Sequence, residues 1–268
     1  MNDKISVLMG VYNAEAIVND AVRTIEEQTE QNIEFVICDD GSADRTYQIL
    51  QELQGKYSNI VLLRNEKNQG LAHALNRCFE ISTGEYIARM DADDRCVPER
   101  FERQKQFLET HPEYDLVGTR MIMIDDFGHE TYSKVQDVPT TNVLPFTVPF
   151  AHPTVLMHRR VLETLGGYTA EKYTGRCEDL ELWYRFFYHG MKGYNLQELL
   201  YIKMQGLSDY KRRKVIYGWN MFFVHLRGLK LIKAPWYKYL LAIKPVIAAS
   251  IPKKIMMKYH KYKFRNRK

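Results

Sequence analysis

The sequence predicts an α/β fold: a mostly parallel, Rossmann-like central sheet flanked by helices, followed by a basic amphipathic helical C-terminal tail. Three observations carry this. Apolar runs of strand length alternate with apolar residues at helical spacing through the first hundred residues. Short loops join them, and that alternation implies parallel strands covered by helices on both faces. The charge is also divided: residues 209–268 hold 17 Lys and Arg against one acid, Asp209, leaving −11 on the first 208 residues from an overall +5.

Taken in order, residues 5–12 form an apolar run suited to a buried parallel strand. Asn13 stands where a helix N-cap is expected, ahead of Ile17, Ala21 and Ile25 at helical spacing. A second strand over 33–38 ends in Asp39-Asp40-Gly41-Ser42, and Ser42 is placed to cap a helix whose inward face is Leu50, Leu53 and Tyr57. A third strand covers 60–63. Gly70 opens a helix with Leu71, Leu75, Cys78 and Phe79 on one stripe. The fourth strand, 86–90, is stopped by Asp91-Ala92-Asp93-Asp94. Beyond Pro98 the pattern predicts a helix over 99–110, then strand and loop signals to about Leu156. A short helix over 159–165 is ended by Gly166-Gly167. A strongly amphipathic helix follows from Glu178, with Leu180, Trp183, Tyr184, Phe187 and Tyr188 on one face.

The 268 residues fit one large α/β domain over 1–208 and an appendage over 209–268. With 45% hydrophobic residues, the chain is not of the disordered class. Cys38, Cys78, Cys96 and Cys177 form no C-x-x-C pair, so reduced thiols in a cytoplasmic protein are expected. The start lacks the apolar stretch of a secretory signal. The longest apolar candidate, residues 236–251, is interrupted by Lys238, Lys244 and Pro245, so no spanning helix is expected.

Ligands of such sheets bind beyond the carboxyl ends of the strands. Asn13, Asp39/Asp40 and the Asp91 cluster should therefore share one crevice. Three carboxylates in four residues suit Mg²⁺ or Mn²⁺ bridging to substrate phosphates; the plainer alternative is a solvated acidic turn, with Asp94 capping the following helix. The Asp39-Asp40 pair reads either as an Asx turn or as an acceptor for a nucleobase N–H. The loop 65–70 ends in a helix start whose N–H groups can face an anion, or it is simply a loop and cap. Glu178 and Asp179 suit a helix N-terminus on dipole grounds alone. Successive helical residues point about 100° apart, so only one of the two can face a given substrate. His152 is open between a ligand or acceptor contact and a loop histidine bonded to backbone. Trp183 reads as core.

Together these segments resemble the bacterial family 2 of inverting glycosyltransferases with the GT-A fold. The resemblance runs over roughly 5–207 in one order: Ser6 to Asn13, Asp39 to Ser42, Asn68 to Ala72 with Asn76, Asp91-Ala92-Asp93, His152-Pro153-Thr154, Gly166-Gly167-Tyr168, and Glu178 to Trp183 with Arg185. It implies a nucleotide-binding half over about 1–98 and an acceptor-binding half over about 99–208. Gly10, Val11, Tyr12 and Asn13 would line the nucleotide pocket, with Asn68 and Gly70 in the same donor site. Asp40 would bond the base, usually uracil. Asp91 would meet the ribose or a metal-bound water, Asp93 would ligate Mn²⁺ or Mg²⁺, and Asp179 would be the general base. Gly10 departs from relatives, which often carry Pro or Thr there. The implied activity is transfer of a sugar from a nucleotide-sugar, UDP-linked by preference, to a hydroxyl of a saccharide acceptor. The acceptor is expected to be lipid-linked, as in capsule, O-antigen or lipooligosaccharide synthesis. A nucleotidyltransferase would carry a Gly-rich basic loop where Val11-Tyr12-Asn13-Ala14-Glu15 stands. A non-catalytic nucleotide-sugar-binding membrane scaffold is disfavoured by retention of Asp93 and Asp179.

In the tail, Lys and Arg are interleaved with Trp219, Phe222, Phe223, Trp236, Tyr237, Tyr239 and Leu240. Such helices lie in the interface of anionic membranes. The expectation is a cytoplasmic protein peripheral on the inner face of the cell membrane. The acidic body argues against nucleic acid as a partner.

Overall fold

Four parallel strands form the first half of the sheet in the computed structural model, which describes residues 3–206 and 214–251. They are β1 (Ile5–Val11), β2 (Ile33–Asp39), β3 (Ile60–Arg64) and β4 (Tyr86–Arg89). The second half is mixed: β5 (Arg95–Cys96), β6 (Leu116–Asp125), β7 (Glu130–Tyr132), β8 (Leu156–His158) and β9 (Gly193–Gln205). The order is β3-β2-β1-β4-β8-β6-β9-β5, with β7 paired to β6. Strand order reverses direction between β1 and β4, so a crevice opens at their carboxyl ends.

Alternation of side chains divides the core into two layers. Ile5, Val7, Met9 and Val11, with Phe35 and Ile37, face α1 (Val18–Glu26), α2 (Thr46–Lys56) and α4 (Arg100–Thr110). Leu8, Val36, Cys38 and Ile87 face α3 (Leu71–Ile81), α5 (Arg159–Leu165) and α6 (Glu178–Tyr188). All four cysteines are buried free thiols.

Three expected caps are not caps. Asn13 adopts a left-handed φ of 49°, and α1 starts only at Val18. Its N–H donates to Ser42 Oγ at 2.9 Å, while its Oδ1 accepts from Ala43 N–H at 2.9 Å. Ser42 is thereby spent on the neighbouring loop, and α2 begins without a side-chain cap. Asp94 turns away from α4 toward β9, accepting from Tyr201 Oη and Met204 N–H, both at 3.0 Å. In each case a contact across the sheet edge satisfies the side chain better than the local helix end. The long strand β9 stands where the sequence reading made no assignment. Its parallel pairing with β6 contains register shifts around Thr119 to Met121.

The described part of the tail forms α7 (Val215–Leu231), α8 (Tyr237–Leu241) and α9 (Lys244–Ser250). α7 lies directly on α6: a Cβ on Gly228 would stand 2.2 Å from the Tyr184 ring, and Tyr184 Oη is 2.9 Å from His225 Nδ1. Lys238 is buried and donates to the Thr141 carbonyl at 2.9 Å. Residues 209–213 and 252–268, which hold much of the predicted tail charge, lie outside the described residues. No helix among the described residues is long and apolar enough to cross a membrane.

Candidate active site

The carboxyl edge of the parallel strands is a knot of loops that satisfy one another. Asp40 is buried, and its carboxylate accepts from Asn65 Nδ2 at 2.6 Å, Gln69 N–H at 2.9 Å and Gly70 N–H at 2.8 Å. The anion at the start of α3 is thus the protein's own Asp40. Asp39, by contrast, is fully buried with Oδ2 near Arg64 Nε at 3.4 Å, and its Oδ1 has no hydrogen-bond partner. Buried polar atoms are rarely left so. Gly41 lets the two loops touch: with φ at 70°, a Cβ there would lie 2.7 Å from the Lys67 backbone. Gly70, at φ 95°, faces open space beside Asn68. Gly10 has a different cause from nucleotide contact. A Cβ there would sit 2.9 Å from Leu71 Cδ1 and 3.1 Å from Ala74 Cβ, so the glycine lets α3 close on β1. Val11 is buried at the strand end, whereas Tyr12 and Asn13 are exposed at the rim.

Beyond β4, one oxygen from each of Asp91, Asp93 and Asp94 lies within 4.8 Å of the others. Octahedral Mg²⁺ or Mn²⁺ with ligands at 2.0–2.1 Å sets neighbouring oxygens about 3 Å apart and opposite ones about 4 Å apart, so this set fits after small side-chain movement. Asp94 is already engaged by Tyr201, Met204 and, at 3.7 Å, by Lys203 Nζ. Burial lifts Asp94 to about 7 against the opposing charge of Lys203, with Asp91 and Asp93 adding to the rise. Asp91 is likewise engaged, by Arg89, so all three carboxylates of the group already have a partner in the fold.

Arg89 is the residue the sequence reading passed over. It is buried at the end of β4, in an ion pair with Asp91. Burial raises Asp91, but Arg89 and then Lys203 outweigh it and hold the carboxyl below its ordinary value. The signal was present: an arginine inside the apolar run 86–90 must find a counter-charge. Arg100, also fully buried, donates from Nη2 to the carbonyls of Arg89 at 2.9 Å and Pro153 at 3.0 Å. It ties the Asp91 strand to the turn holding His152.

His152 is buried, with Nε2 2.9 Å from Tyr168 Oη. Burial keeps it neutral, well below its usual range, and Arg89 adds to that effect while Asp91 opposes it. Its ring is bonded to a side chain, Tyr168, rather than to backbone as the loop-histidine alternative expected. Tyr168 follows the Gly166-Gly167 turn, where Asn76 accepts from the Tyr168 N–H at 2.7 Å and donates to its carbonyl at 2.8 Å. Arg185 reaches the Gly167 carbonyl at 3.0 Å and pairs with Glu181 at 2.7 Å. These motif residues fasten α6 to the rest of the domain. Trp183 is core.

Glu178 and Asp179 open α6. Burial raises Asp179; the Leu180 N–H, at 2.7 Å from its Oδ1, and Arg89 oppose the rise, and the charge on Asp91 adds to it. Burial lifts Glu178 to about 6, with repulsion from Asp179 next. The charges of Arg89 and Asp91 act on both carboxyls, Arg89 lowering and Asp91 raising them. Of the two acids, only Asp179 lines the adjoining cavity of about 530 Å³.

The sequence of residues 6–166 matches the model for "Glycosyl transferase family 2". This chain belongs to that family. It is 38% identical to EpsE of Bacillus subtilis (strain 168), whose name assigns it to the glycosyltransferases, over 99% of this chain and 96% of that one. It is 33% identical to the amylovoran biosynthesis glycosyltransferase AmsE of Erwinia amylovora, covering 84% of this chain and 85% of AmsE. The fold matches S. aureus TarS in complex with UDP-GlcNAc, with a TM-score of 0.69 at 17% identity over 94% of this chain and 82% of the other. It also matches a Pyrobaculum calidifontis mannosyltransferase in complex with GDP-Man and Mn²⁺, with a TM-score of 0.65 at 18% identity over 98% and 81%. The fold is therefore GT-A, and the chain is a glycosyltransferase.

Proposed function

We propose that this glycosyltransferase moves a sugar from a nucleotide-sugar, UDP-linked by preference, to a saccharide hydroxyl with inversion, in the synthesis of a cell-surface polysaccharide. The observation that carries this reading is the bonded path between the two sites. Arg89 pairs with Asp91, Arg100 ties the Arg89 carbonyl to the His152 turn, His152 meets Tyr168, and Arg185 of α6 holds the Gly167 carbonyl before it. A donor at the β1/β4 crevice and an acceptor at the start of α6 can then meet over one anomeric carbon.

Tyr12, Asn13, Asn68 and Gly70 rim the donor side, and the Val11 and Gly10 backbone forms its floor. Asp40 acts by fixing the 65–70 loop beside the nucleotide, and the unpartnered Asp39 oxygen is the better candidate for a base N–H. Asp91 and Asp93 would hold a divalent cation, which when bound neutralises charge developing on the departing diphosphate. Asp179 takes the proton of the acceptor hydroxyl as it attacks. Its raised carboxyl suits that role, since a base of higher pKa accepts a proton more readily. A single displacement converts an α-linked donor into a β-glycoside.

Two further supports come from relatives and from the surface. WfaP of Escherichia coli, 28% identical over 71% of this chain and 73% of its own length, is named as a UDP-Glc:alpha-D-GlcNAc-diphosphoundecaprenol beta-1,3-glucosyltransferase. A lipid-linked acceptor is accordingly proposed here. The tail helices present Trp236, Leu240 and Ile247 at 76%, 66% and 60% exposure, a face suited to the interface of an anionic membrane on the cytoplasmic side.

The test is donor turnover with UDP-, GDP- and dTDP-sugars, with and without Mn²⁺ or Mg²⁺. Metal-dependent donor hydrolysis or transfer that Asp93→Asn abolishes supports the reading. Undiminished, chelator-resistant turnover in that variant would overturn the metal assignment, and no turnover of any sugar nucleotide would overturn the reading as a whole.

A further inference from the structure

The cavity beside Asp179 has a composition that the donor chemistry does not explain. Its floor is apolar, built by Met221 and Tyr217 of α7, Pro245 and Ala248 of α9, and Phe146 and Val148 of the 143–150 loop. Around this floor stand three cations from three separate segments: Arg176, Lys214 and Lys244. Among the described residues none of the three has an ion pair with a carboxylate. Arg176 lies over the Tyr217 ring at 5.2 Å and adopts a left-handed φ of 64°, a conformation that strains any non-glycine residue. Among the described residues, Asp179 is the only acid in the lining.

Some exposed basic side chains elsewhere are ion-paired, as Arg23 is with Asp20 and Arg103 with Glu198; what sets the groove apart is that three cations from separate segments gather around one apolar floor. Three unmatched cations around an apolar groove therefore select an occupant that is anionic at one point and aliphatic beyond it. The apolar wall also continues outward. α9, which supplies Lys244, Pro245 and Ala248, turns Ile247 to solvent, and α8 before it exposes Tyr237 and Leu240. A chain leaving the groove meets the face suited to a membrane.

We infer that this groove is a binding site for the diphosphate and first isoprenoid-like units of a lipid carrier, with Arg176, Lys214 and Lys244 holding the phosphates while the carried sugar reaches Asp179. The inference rests on Asp179 being the acceptor-side base and on the lipid-linked acceptor proposed above, and it adds the groove and the residues that hold the carrier. The volume of about 530 Å³ lies in the range of small-ligand sites and accommodates a sugar and a diphosphate, with the lipid extending beyond.

The probe is farnesyl diphosphate, titrated by calorimetry into the full-length protein saturated with UDP, with farnesol and inorganic pyrophosphate as separate arms. The expected result is binding of farnesyl diphosphate at least tenfold tighter than either arm. Losing two cations in Lys214→Gln/Lys244→Gln weakens it about 25-fold, at about fivefold per charge. Ala248→Phe, which fills the groove without altering charge, removes binding as well. UDP affinity reports folding of each variant; if the double variant loses it, Ala248→Phe carries the test. Absence of binding, competition by UDP, or affinity untouched by the folded variants would overturn the proposal. Pyrophosphate binding as tightly would leave an anion site only, and farnesol binding as tightly an apolar patch only; either overturns it too. Failure of the glycosyltransferase reading registers separately, as absent donor turnover in a protein whose titration is unaffected.

Discussion

The two sides of the cleft are built in opposite ways. On the donor side, polar groups from loops 12–15, 39–46 and 65–70 satisfy one another, so the edge is rigid before any nucleotide arrives. On the acceptor side, the groove is apolar and its cations have no carboxylate partners among the described residues. Under the proposed function, the preorganised edge takes the invariant nucleotide and its metal, and the open groove takes the part that distinguishes one acceptor from another. Arg89, ion-paired with Asp91, lowers the Asp179 carboxyl as well, so its charge is felt on both sides.

The sharpest way to break this contrast is to remove that cation. Arg89→Met leaves the half-buried Asp91 without its partner and should lower stability in chemical denaturation, by less than the roughly 3–5 kcal/mol of a fully buried broken pair. In whatever protein still folds, the base should titrate higher, because Arg89 opposes the rise of Asp179. An unchanged denaturation midpoint would mean that the two sides are not coupled through Arg89.

A smaller effect tests the rigidity of the donor edge. Gly10→Val pushes a side chain into Leu71 and Ala74 and should destabilise by about 1–3 kcal/mol, the usual range for overpacking. Nucleotide affinity should weaken with it, because α3 carries Gly70 at its start. If stability holds and affinity alone falls, Gly10 contacts the donor directly and the packing explanation fails.

The smallest effect separates activity from stability on the acceptor side. Burial lifts Glu178 to about 6, above its ordinary carboxyl range, so folding takes up a proton there. Stability from this group therefore rises as pH falls from neutrality through 6 toward the unfolded value, then levels off. Turnover must move the other way, since a base with a raised pKa is lost by protonation as pH falls. Glu178→Gln should flatten the stability trend while leaving an acid limb in kcat. Parallel decline of both in the wild-type protein would contradict the assignment.

Much of this was legible in the sequence, and the exceptions have a common cause. Gly70, the four parallel strands and the start of α6 at Glu178 were readable because local periodicity decides them. Asn13, Ser42 and Asp94 were misread as caps because each bonds to a residue well away in the chain: Asn13 and Ser42 to each other's loops, Asp94 to β9. β9 escaped notice because its pairing is set by β6, far earlier in the chain, where Leu116 pairs with Gly193 and Asp125 with Gln205 through a shifted register. Asp91, Asp93 and Asp179 were singled out by motif. Arg89 was not, although a charge within a buried strand is itself a signal. The cationic groove was invisible because Arg176, Lys214 and Lys244 come together only when α7 and α9 fold back on α6.

The central claim is that Asp179 faces the same reacting centre as the Asp91 cluster. Asp179→Asn, assayed for sugar transfer with nucleotide affinity measured in parallel, tests it most directly. The account predicts transfer lowered by about 10²–10⁴-fold, the range for loss of a general base, with nucleotide affinity retained. Transfer within a few fold of wild type in a folded, nucleotide-binding variant would contradict it.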